Sequence, residues 1–312
     1  MCRGVPAWGR GGGRVRVHVV AIHGIGQGRR EGFSRRLRDR VVGELESIAP
    51  DSARRATADL EHFWRECIWD VGLPAEELFR RLYPGGDPTP FWARRLLHRL
   101  GLPTAREFAF CDVGDIVSYF AVRDRVMEGL RRQISGLARE HRDRGACLAL
   151  VGHSMWSVVA FDFLHESQRR EGPTGRWRSP AAAKGRLVAV GEGAVRSTLV
   201  ASALFTLGSP IALFSLVEEG RYHHFRGRLA GEDAPFCLAE GWFNFYDEED
   251  PIPFPVARLF GSDRLRVTDY KVDNCRLPLL GALFSHGGYW FCGEVAKELA
   301  RHIARMEGTL KG

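Results

Sequence analysis

A short segment near the middle of the chain carries the residues of a serine nucleophile. The apolar run Cys147-Leu148-Ala149-Leu150-Val151 leads directly into Gly152-His153-Ser154, and the residues that follow have the pattern of a helix. A strand that turns sharply into a helix exposes a serine hydroxyl at its end, as the G-x-S-x-G nucleophile elbow does. The same turn leaves the amide of Met155 free to donate a hydrogen bond to an oxyanion. The segment therefore predicts Ser154 as a nucleophile and Met155 as part of an oxyanion hole.

A nucleophilic serine needs a base to take its proton and an acid to orient that base. In serine hydrolases built on a G-x-S-x-G elbow, these groups follow in the order serine, acid, histidine, each near the carboxyl end of a strand. Asp250 lies in an acidic turn after the predicted strand Gly241–Tyr246, and His286 lies in a predicted loop before the final helix. We therefore predict a triad in which His286 moves the proton and Asp250 fixes the tautomer of His286.

Both partners of the serine have rivals. The acids at positions 247–249 stand in the same turn as Asp250, and a charged run of this kind is commonly a solvated turn. The pair His223-His224 offers another base, but it precedes the acid and would break the order that the fold requires. His153, beside the nucleophile, is expected to point away from it and to be structural.

The first predicted strand ends in a glycine-rich turn. Residues 15–22 become wholly apolar, as a buried parallel strand does, and lead into His23-Gly24-Ile25-Gly26-Gln27-Gly28. A dinucleotide fingerprint would need glycine at position 29, where arginine stands, and no Gly-Lys-Ser/Thr follows to indicate a P-loop. A plain strand-to-helix turn is the alternative. We favour an oxyanion loop in which the amide of Ile25 faces the nucleophile and Gly24 helps to bind substrate.

Trp156 occupies the elbow position where the pattern has glycine. Small residues are usual there because the helix packs closely against neighbouring strands. Three outcomes are open: the helix stands further from the sheet, the ring restricts the substrate pocket, or overpacking distorts the elbow. The first two leave an active hydrolase, and the second makes Trp156 a substrate-binding residue. The third predicts an impaired, hydrolase-like binding or regulatory protein.

Predicted strands and helices alternate along the chain, which is typical of a parallel sheet covered by helices on both faces. The pattern predicts an α/β fold with about six strands, as a single domain over residues 14–312 after a flexible leader at 1–13. A strand is expected from Glu61 to Trp69, a long helix at about 113–142, just before the elbow strand, and the elbow helix at about 155–168. A helical insertion at about 72–110, rich in aromatic residues, is a candidate cap over the site, with ordinary core packing as the alternative.

Composition sets the expected partners and compartment. The net charge is +7, but only four of the 45 basic residues are lysine, and the arginines are spread among acids, which indicates a solvated surface and no nucleic-acid partner. The seven cysteines form no C-x-x-C pair, so we expect neither a zinc site nor a disulfide framework. The sequence lacks an evident signal peptide or membrane span, and a cytoplasmic protein is predicted. Peripheral membrane contact through the basic charge and the insertion stays open, as does the oligomeric state.

Together these motifs resemble the α/β-hydrolase superfamily, and within it the lipase and esterase branch. The resemblance follows the order of elements over most of residues 15–305. It rests on His23-Gly24, the Gly152-His153-Ser154 elbow, Phe205-Thr206-Leu207-Gly208-Ser209-Pro210, Asp250-Pro251-Ile252-Pro253, and His286 with Tyr289-Trp290. It implies the α/β-hydrolase fold and Asp250, rather than its neighbours, as the acid. It also implies hydrolysis of small-molecule or lipid carboxylic esters through an acyl-enzyme, without cofactor or metal.

Overall fold

The computed structural model describes residues 16–24, 32–69, 78–79, 81–85, 88–99, 104–140, 146–169, 199–214, 238–262, 265–274 and 281–310. The predicted leader at 1–13, the oxyanion-loop residue Ile25 and the rival pair His223-His224 lie outside the described residues.

A six-stranded parallel sheet forms the centre of the protein. Its strands, in chain order, are β1 (Arg16–Gly24), β2 (Trp64–Trp69), β3 (Ala146–His153), β4 (Leu199–Leu207), β5 (Gly241–Tyr246) and β6 (Val267–Lys271). They lie in the order β2-β1-β3-β4-β5-β6, and every neighbouring pair is parallel. Strand β3 is buried along its whole length, which explains its continuous apolar sequence. The predicted α/β class with about six strands is confirmed.

Helices cover both faces of the sheet. The described helices are α1 (Arg35–Ile48), α2 (Pro50–Ala58), α3 (Leu60–Phe63), α4 (Phe91–Arg99), α5 (Ala105–Glu140), α6 (Met155–Arg169), α7 (Ile211–Phe214), α8 (Ala257–Phe260), α9 (Gly281–Gly288) and α10 (Gly293–Met306), with a 3-10 turn at Tyr289–Phe291. One apolar cluster joins α1 and α10 to the sheet, and a second joins α5 and α6 to the opposite face. Alternate residues of β1 enter the two clusters, because successive side chains of a strand point to opposite faces.

Three elements differ from the sequence prediction. The long helix α5 begins at Ala105, not near 113, so it includes the last residues of the segment assigned to the insertion. Thr104, which follows a proline, is the signal for a helix start at this position. The polar residues Glu61 and His62, predicted as strand, form part of α3 instead. His286, predicted in a loop, lies near the end of the short helix α9, where Ala282 and Leu283 favour helix.

A buried ion pair fastens the helix that follows the elbow strand. Arg123 Nε of α5 donates to Asp162 Oδ2 of α6 at 2.5 Å, and the Tyr119 hydroxyl donates to the same oxygen at 2.6 Å. Asp162 is fully buried, so both donors are needed to compensate the loss of water around its charge. The carboxylate of Asp162 therefore fixes α6 against α5.

The edge strand β6 is held to the rest of the sheet by a carboxylate. Asp269 Oδ1 accepts hydrogen bonds from Asn244 Nδ2 and from the Val256 amide, each at 2.9 Å, and Oδ2 accepts one from the Ala257 amide at 2.9 Å. These bonds join β6 to β5 and to the start of α8. Within the described part of the chain, no helix has the length and apolar character that crossing a membrane requires.

Candidate active site

The candidate site lies at the carboxyl ends of the strands. It is at the point where successive strands stop being added on one side of β1 and begin to be added on the other. The chain passes from β1 outward to β2 and then returns to β3 on the other side of β1. Ligands of open parallel sheets bind in the crevice at such a switch point. Ile22 is paired with Gly152, so Gly24, two residues further on, ends β1 beside the Ser154 turn.

Ser154 occupies a backbone conformation that non-glycine residues rarely adopt. Its φ is 52°, and it is the only non-glycine residue with a positive φ in the described ranges. Its amide donates to the Leu207 carbonyl at 2.9 Å, and its own carbonyl accepts from the Ser157 amide at 3.0 Å and from Ser157 Oγ at 2.5 Å. The turn is thus held from β4 and from the first turn of α6. Such strain is found mostly at functional sites.

Gly152 is required by the close approach of α6 to the end of β3. A Cβ atom at this position would lie 2.6 Å from Ser157 Cα and 2.7 Å from the Trp156 carbonyl oxygen. Both are backbone atoms, which cannot move away without moving the helix. The turn is therefore as tight as a nucleophile elbow requires.

Asp250 and His286 form a buried pair. His286 Nδ1 lies 2.7 Å from Asp250 Oδ2, and the two residues are 4% and 3% exposed. The Ile252 amide donates to the other carboxylate oxygen at 3.1 Å. A carboxylate oxygen accepts, so Nδ1 carries the hydrogen, and the neutral ring then has its lone pair on Nε2.

The other acids of the turn are engaged elsewhere. Asp247 accepts the Glu249 amide at 2.9 Å on Oδ1 and the Asn274 amide at 2.7 Å on Oδ2, so its carboxylate braces the loops around the site. Glu248 is exposed and pairs with Lys271 at 2.6 Å. Among the four acids predicted as alternatives, Asp250 is the one in contact with His286.

Tyr289 completes the surroundings of Asp250. Its hydroxyl donates to Asp250 Oδ2 at 3.1 Å and accepts the Asp247 amide at 3.0 Å. Burial, together with the negative charge of Asp250, raises the pKa of Tyr289 far above its usual value, so the hydroxyl stays protonated and remains a donor. Gly208, with φ 57°, leaves room for this ring, since a Cβ there would lie 2.7 Å from Tyr289 Cε2.

Two contacts bring His286 to the nucleophile turn. A Cβ atom added to Gly208 would lie 3.3 Å from His286 Cε1. Gly208 directly follows Leu207, whose carbonyl accepts the hydrogen bond from the Ser154 amide. The rings of His153 and His286 have centroids 4.9 Å apart. Among the described residues no hydrogen bond joins the Ser154 hydroxyl to His286. Catalytic hydrogen bonds of this type are often formed only when substrate is bound.

His153 holds the backbone of His286. Its Nε2 lies 2.6 Å from the His286 carbonyl oxygen and must donate to it, because a carbonyl only accepts. Burial lowers the pKa of His153 well below its usual value, and the neighbouring rings of His286 and His23 lower it further. His153 is structural, as predicted, but it does not point away from the site: it positions the candidate base.

Trp156 is buried, with 5% of its surface exposed, in the apolar cluster that includes Met127 and Leu130 of α5. The helix does not stand off from the sheet at this position, because the Trp156 carbonyl is within van der Waals reach of Gly152. Met155, the first residue of α6, has an amide that no intrahelical carbonyl can accept.

Comparisons of the chain with protein-family models, with curated proteins and with solved structures each gave no significant match. A function for this chain is therefore inferred from its own geometry. The structure brings Ser154, Met155, Gly24, Asp250 and His286 to one edge of the sheet.

Sequence reasoning missed several residues that support the site. Ser157 and Ser209, whose hydroxyls are 2.6 Å apart, brace the elbow, and Ser209 Oγ also accepts the Ile211 amide at 3.2 Å. Tyr289 was noted only as part of a motif. Its spacing of three residues from His286, which places the two on neighbouring turns, could have indicated a shared partner.

Proposed function

We propose that this chain is a serine hydrolase of the α/β-hydrolase type that cleaves carboxylic esters. The observation that carries the proposal is the strained backbone of Ser154, at the switch point of a parallel sheet, beside the buried Asp250–His286 pair. A positive φ strains a residue that carries a side chain, and the serine of a nucleophile elbow sits on a strained strand-to-helix turn of this kind. Small-molecule or lipid esters are the proposed substrates.

In the proposed reaction, Ser154 Oγ attacks the ester carbonyl carbon while His286 Nε2 accepts the hydroxyl proton. The Asp250 carboxylate stabilises the imidazolium through its hydrogen bond with Nδ1. Negative charge develops on the former carbonyl oxygen, and the Met155 amide donates to it. Ile25 is the proposed second donor. Collapse of the tetrahedral intermediate expels the alcohol, which takes its proton from His286, and leaves an acyl group on Ser154.

The acyl-enzyme is then cleaved by water. His286 Nε2 removes a proton from the water, the hydroxyl attacks the acyl carbon, and the proton returns to Ser154 Oγ as the acid leaves. Each step uses groups of this chain alone, and His286 begins and ends the cycle with its lone pair on Nε2.

Labelling with a fluorophosphonate, mapped by mass spectrometry, tests the proposal together with turnover of a series of p-nitrophenyl esters. The expected result is modification of Ser154, lost with its activity in Ser154→Ala. Ser202→Ala is a matched control, because Ser202 is also a buried serine of the sheet, and its hydroxyl bonds to the Val200 carbonyl and the Cys147 thiol rather than to the candidate triad. The ester series shows whether Trp156 restricts the acyl group.

Full ester turnover by Ser154→Ala would overturn the proposed mechanism. Well-folded protein that is neither labelled nor active would instead favour the second candidate, a hydrolase-like binding or regulatory protein. The substitution of the elbow glycine by Trp156 is the observation behind that candidate.

A further inference from the structure

The outer face of α4 carries two exposed aromatic side chains beside two free arginines. Phe91 and Trp92 are 67% and 72% exposed, the highest fractions among the large apolar residues of the described chain. Arg95 and Arg99 are exposed as well, and within the described ranges neither makes a hydrogen bond or an ion pair. Successive residues of a helix are turned by about 100°. All four side chains therefore fall within an arc of about 100°.

The insertion is anchored by a different residue. Phe79 is buried, and its ring centroid lies 5.0 Å from that of Tyr83 and 5.4 Å from that of Phe110 on α5. Core packing, predicted as one reading of this segment, thus accounts for Phe79 but not for Phe91 and Trp92. Exposed aromatic residues next to each other commonly mark an interaction surface.

We propose that α4 is an attachment surface for an anionic lipid bilayer. Tryptophan and phenylalanine insert at the level of the lipid headgroups, and arginine guanidinium groups bind lipid phosphate. The described residues between 78 and 99 include no carboxylate, so nothing among them opposes an anionic partner. Leu78 and Leu82, 48% and 55% exposed, add aliphatic surface to the same insertion. Aliphatic side chains favour a bilayer over single-stranded nucleic acid, which stacks its bases on aromatic rings.

Co-sedimentation of the full chain with lipid vesicles tests this surface. Ser154→Ala protein is used throughout, so that binding is measured without turnover and independently of the proposed reaction. We expect binding to vesicles of phosphatidylcholine with phosphatidylserine, weaker binding to phosphatidylcholine alone, and loss of the difference at high salt. Arg95→Gln with Arg99→Gln should weaken binding to the anionic vesicles about 30-fold, at about fivefold for each arginine near the surface.

Matched controls distinguish binding by this face of α4 from binding that depends only on total charge or on general hydrophobicity. Arg132→Gln with Arg258→Gln removes the same charge from exposed positions elsewhere and should leave binding within about twofold. Phe91→Ser with Trp92→Ser should weaken binding at low and at high salt, whereas Phe254→Ser, at a residue 46% exposed, should not.

Three results would overturn the proposal: folded protein that fails to sediment with anionic vesicles, equal loss of binding in the two pairs of arginine variants, or unchanged binding after loss of both aromatic residues. A further result would do the same. If a single-stranded RNA homopolymer binds through Arg95 and Arg99 while the vesicles do not bind, this face of α4 is a nucleic-acid-binding surface.

Discussion

Replacing Tyr289 by phenylalanine removes one hydroxyl from the buried surroundings of the candidate acid and base. In the native protein that hydroxyl donates at 3.1 Å to the same Asp250 oxygen that faces His286 Nδ1 at 2.7 Å. It withdraws part of the negative charge that would otherwise stabilise the imidazolium. Without the hydroxyl, His286 holds its proton more tightly, and a higher pH is needed to free Nε2.

The size of this effect follows from the geometry. A hydrogen bond to a charged group contributes about 1.5–3 kcal/mol, and about 1.36 kcal/mol corresponds to one pH unit. A distance of 3.1 Å is long for a hydroxyl donor, so the lower part of that range applies. We expect the acidic limb of kcat/KM to move upward by up to about one pH unit. The Asp247 amide also loses its acceptor, which should lower the free energy of unfolding by about 1–3 kcal/mol.

The assay is kcat/KM for p-nitrophenyl acetate, or the rate of fluorophosphonate inactivation, measured between pH 5 and 9. Tyr119→Phe is the matched control. Tyr119 is equally buried and donates to a buried carboxylate, Asp162, at 2.6 Å, but it lies away from the site. It should lose stability without a change in the pH profile. An unmoved limb in Tyr289→Phe, a shift to lower pH, or the same shift in both variants would refute the reasoning.

Further predictions concern the elbow and the core. Gly152→Ala places a Cβ 2.6 Å from backbone and should abolish fluorophosphonate labelling of the folded fraction. Trp156→Ala removes a buried ring and should lower the free energy of unfolding, measured in urea, by about 3–5 kcal/mol. Asp162→Asn removes one of the two carboxylates paired with buried Arg123, leaving Glu166 at 2.6 Å, and should cost about 1.5–3 kcal/mol in the same assay. Because burial lowers the pKa of His153 below its unfolded value of about 6.5, the unfolded chain binds more protons in acid. Stability should therefore fall between pH 7.5 and 5.5, with at most about 1.4 kcal/mol of that loss removed by His153→Gln.

Gly152→Ala and Asp162→Asn each have a reference variant in the same chain. Gly43, within α1, has nothing within 4 Å of an added Cβ, so Gly43→Ala should be neutral or stabilising by up to about 1 kcal/mol. Glu128→Gln removes an exposed ion pair and should change the urea midpoint little. A loss in these references equal to that of Gly152→Ala or Asp162→Asn would argue against the packing and charge assignments.

The sequence predicted the elements that carry strong local signals. Strand β5 has the bounds that were expected, and the elbow helix α6 ends one residue later than predicted, because apolar runs and the following turn residues mark these elements clearly. The start of α5 at Ala105 lies within the segment to about 110 that was assigned to the insertion, so the prediction of this boundary was wrong.

The site was predictable in its chemistry but not in its supports. Chain order and the positions of strand ends are enough to propose Ser154, Asp250 and His286. The contacts of Tyr289 with two acids, and of His153 with the His286 carbonyl, depend on how loops after different strands fold together. No local pattern contains that information, since the partners are separated by between 39 and 133 positions.

The base of the candidate triad is carried by the chain that follows β6, the outermost strand on its side of the described sheet. Edge strands open more readily than central ones, and β6 is only half-buried. Asp269 adds a lock to the backbone pairing of this strand with β5, through its three hydrogen bonds to the neighbouring backbone and to Asn244. Release of that lock would withdraw His286 while the central strands stay folded. Heat should then inactivate the protein before it unfolds it, and amide hydrogens of β6 should exchange before those of β3.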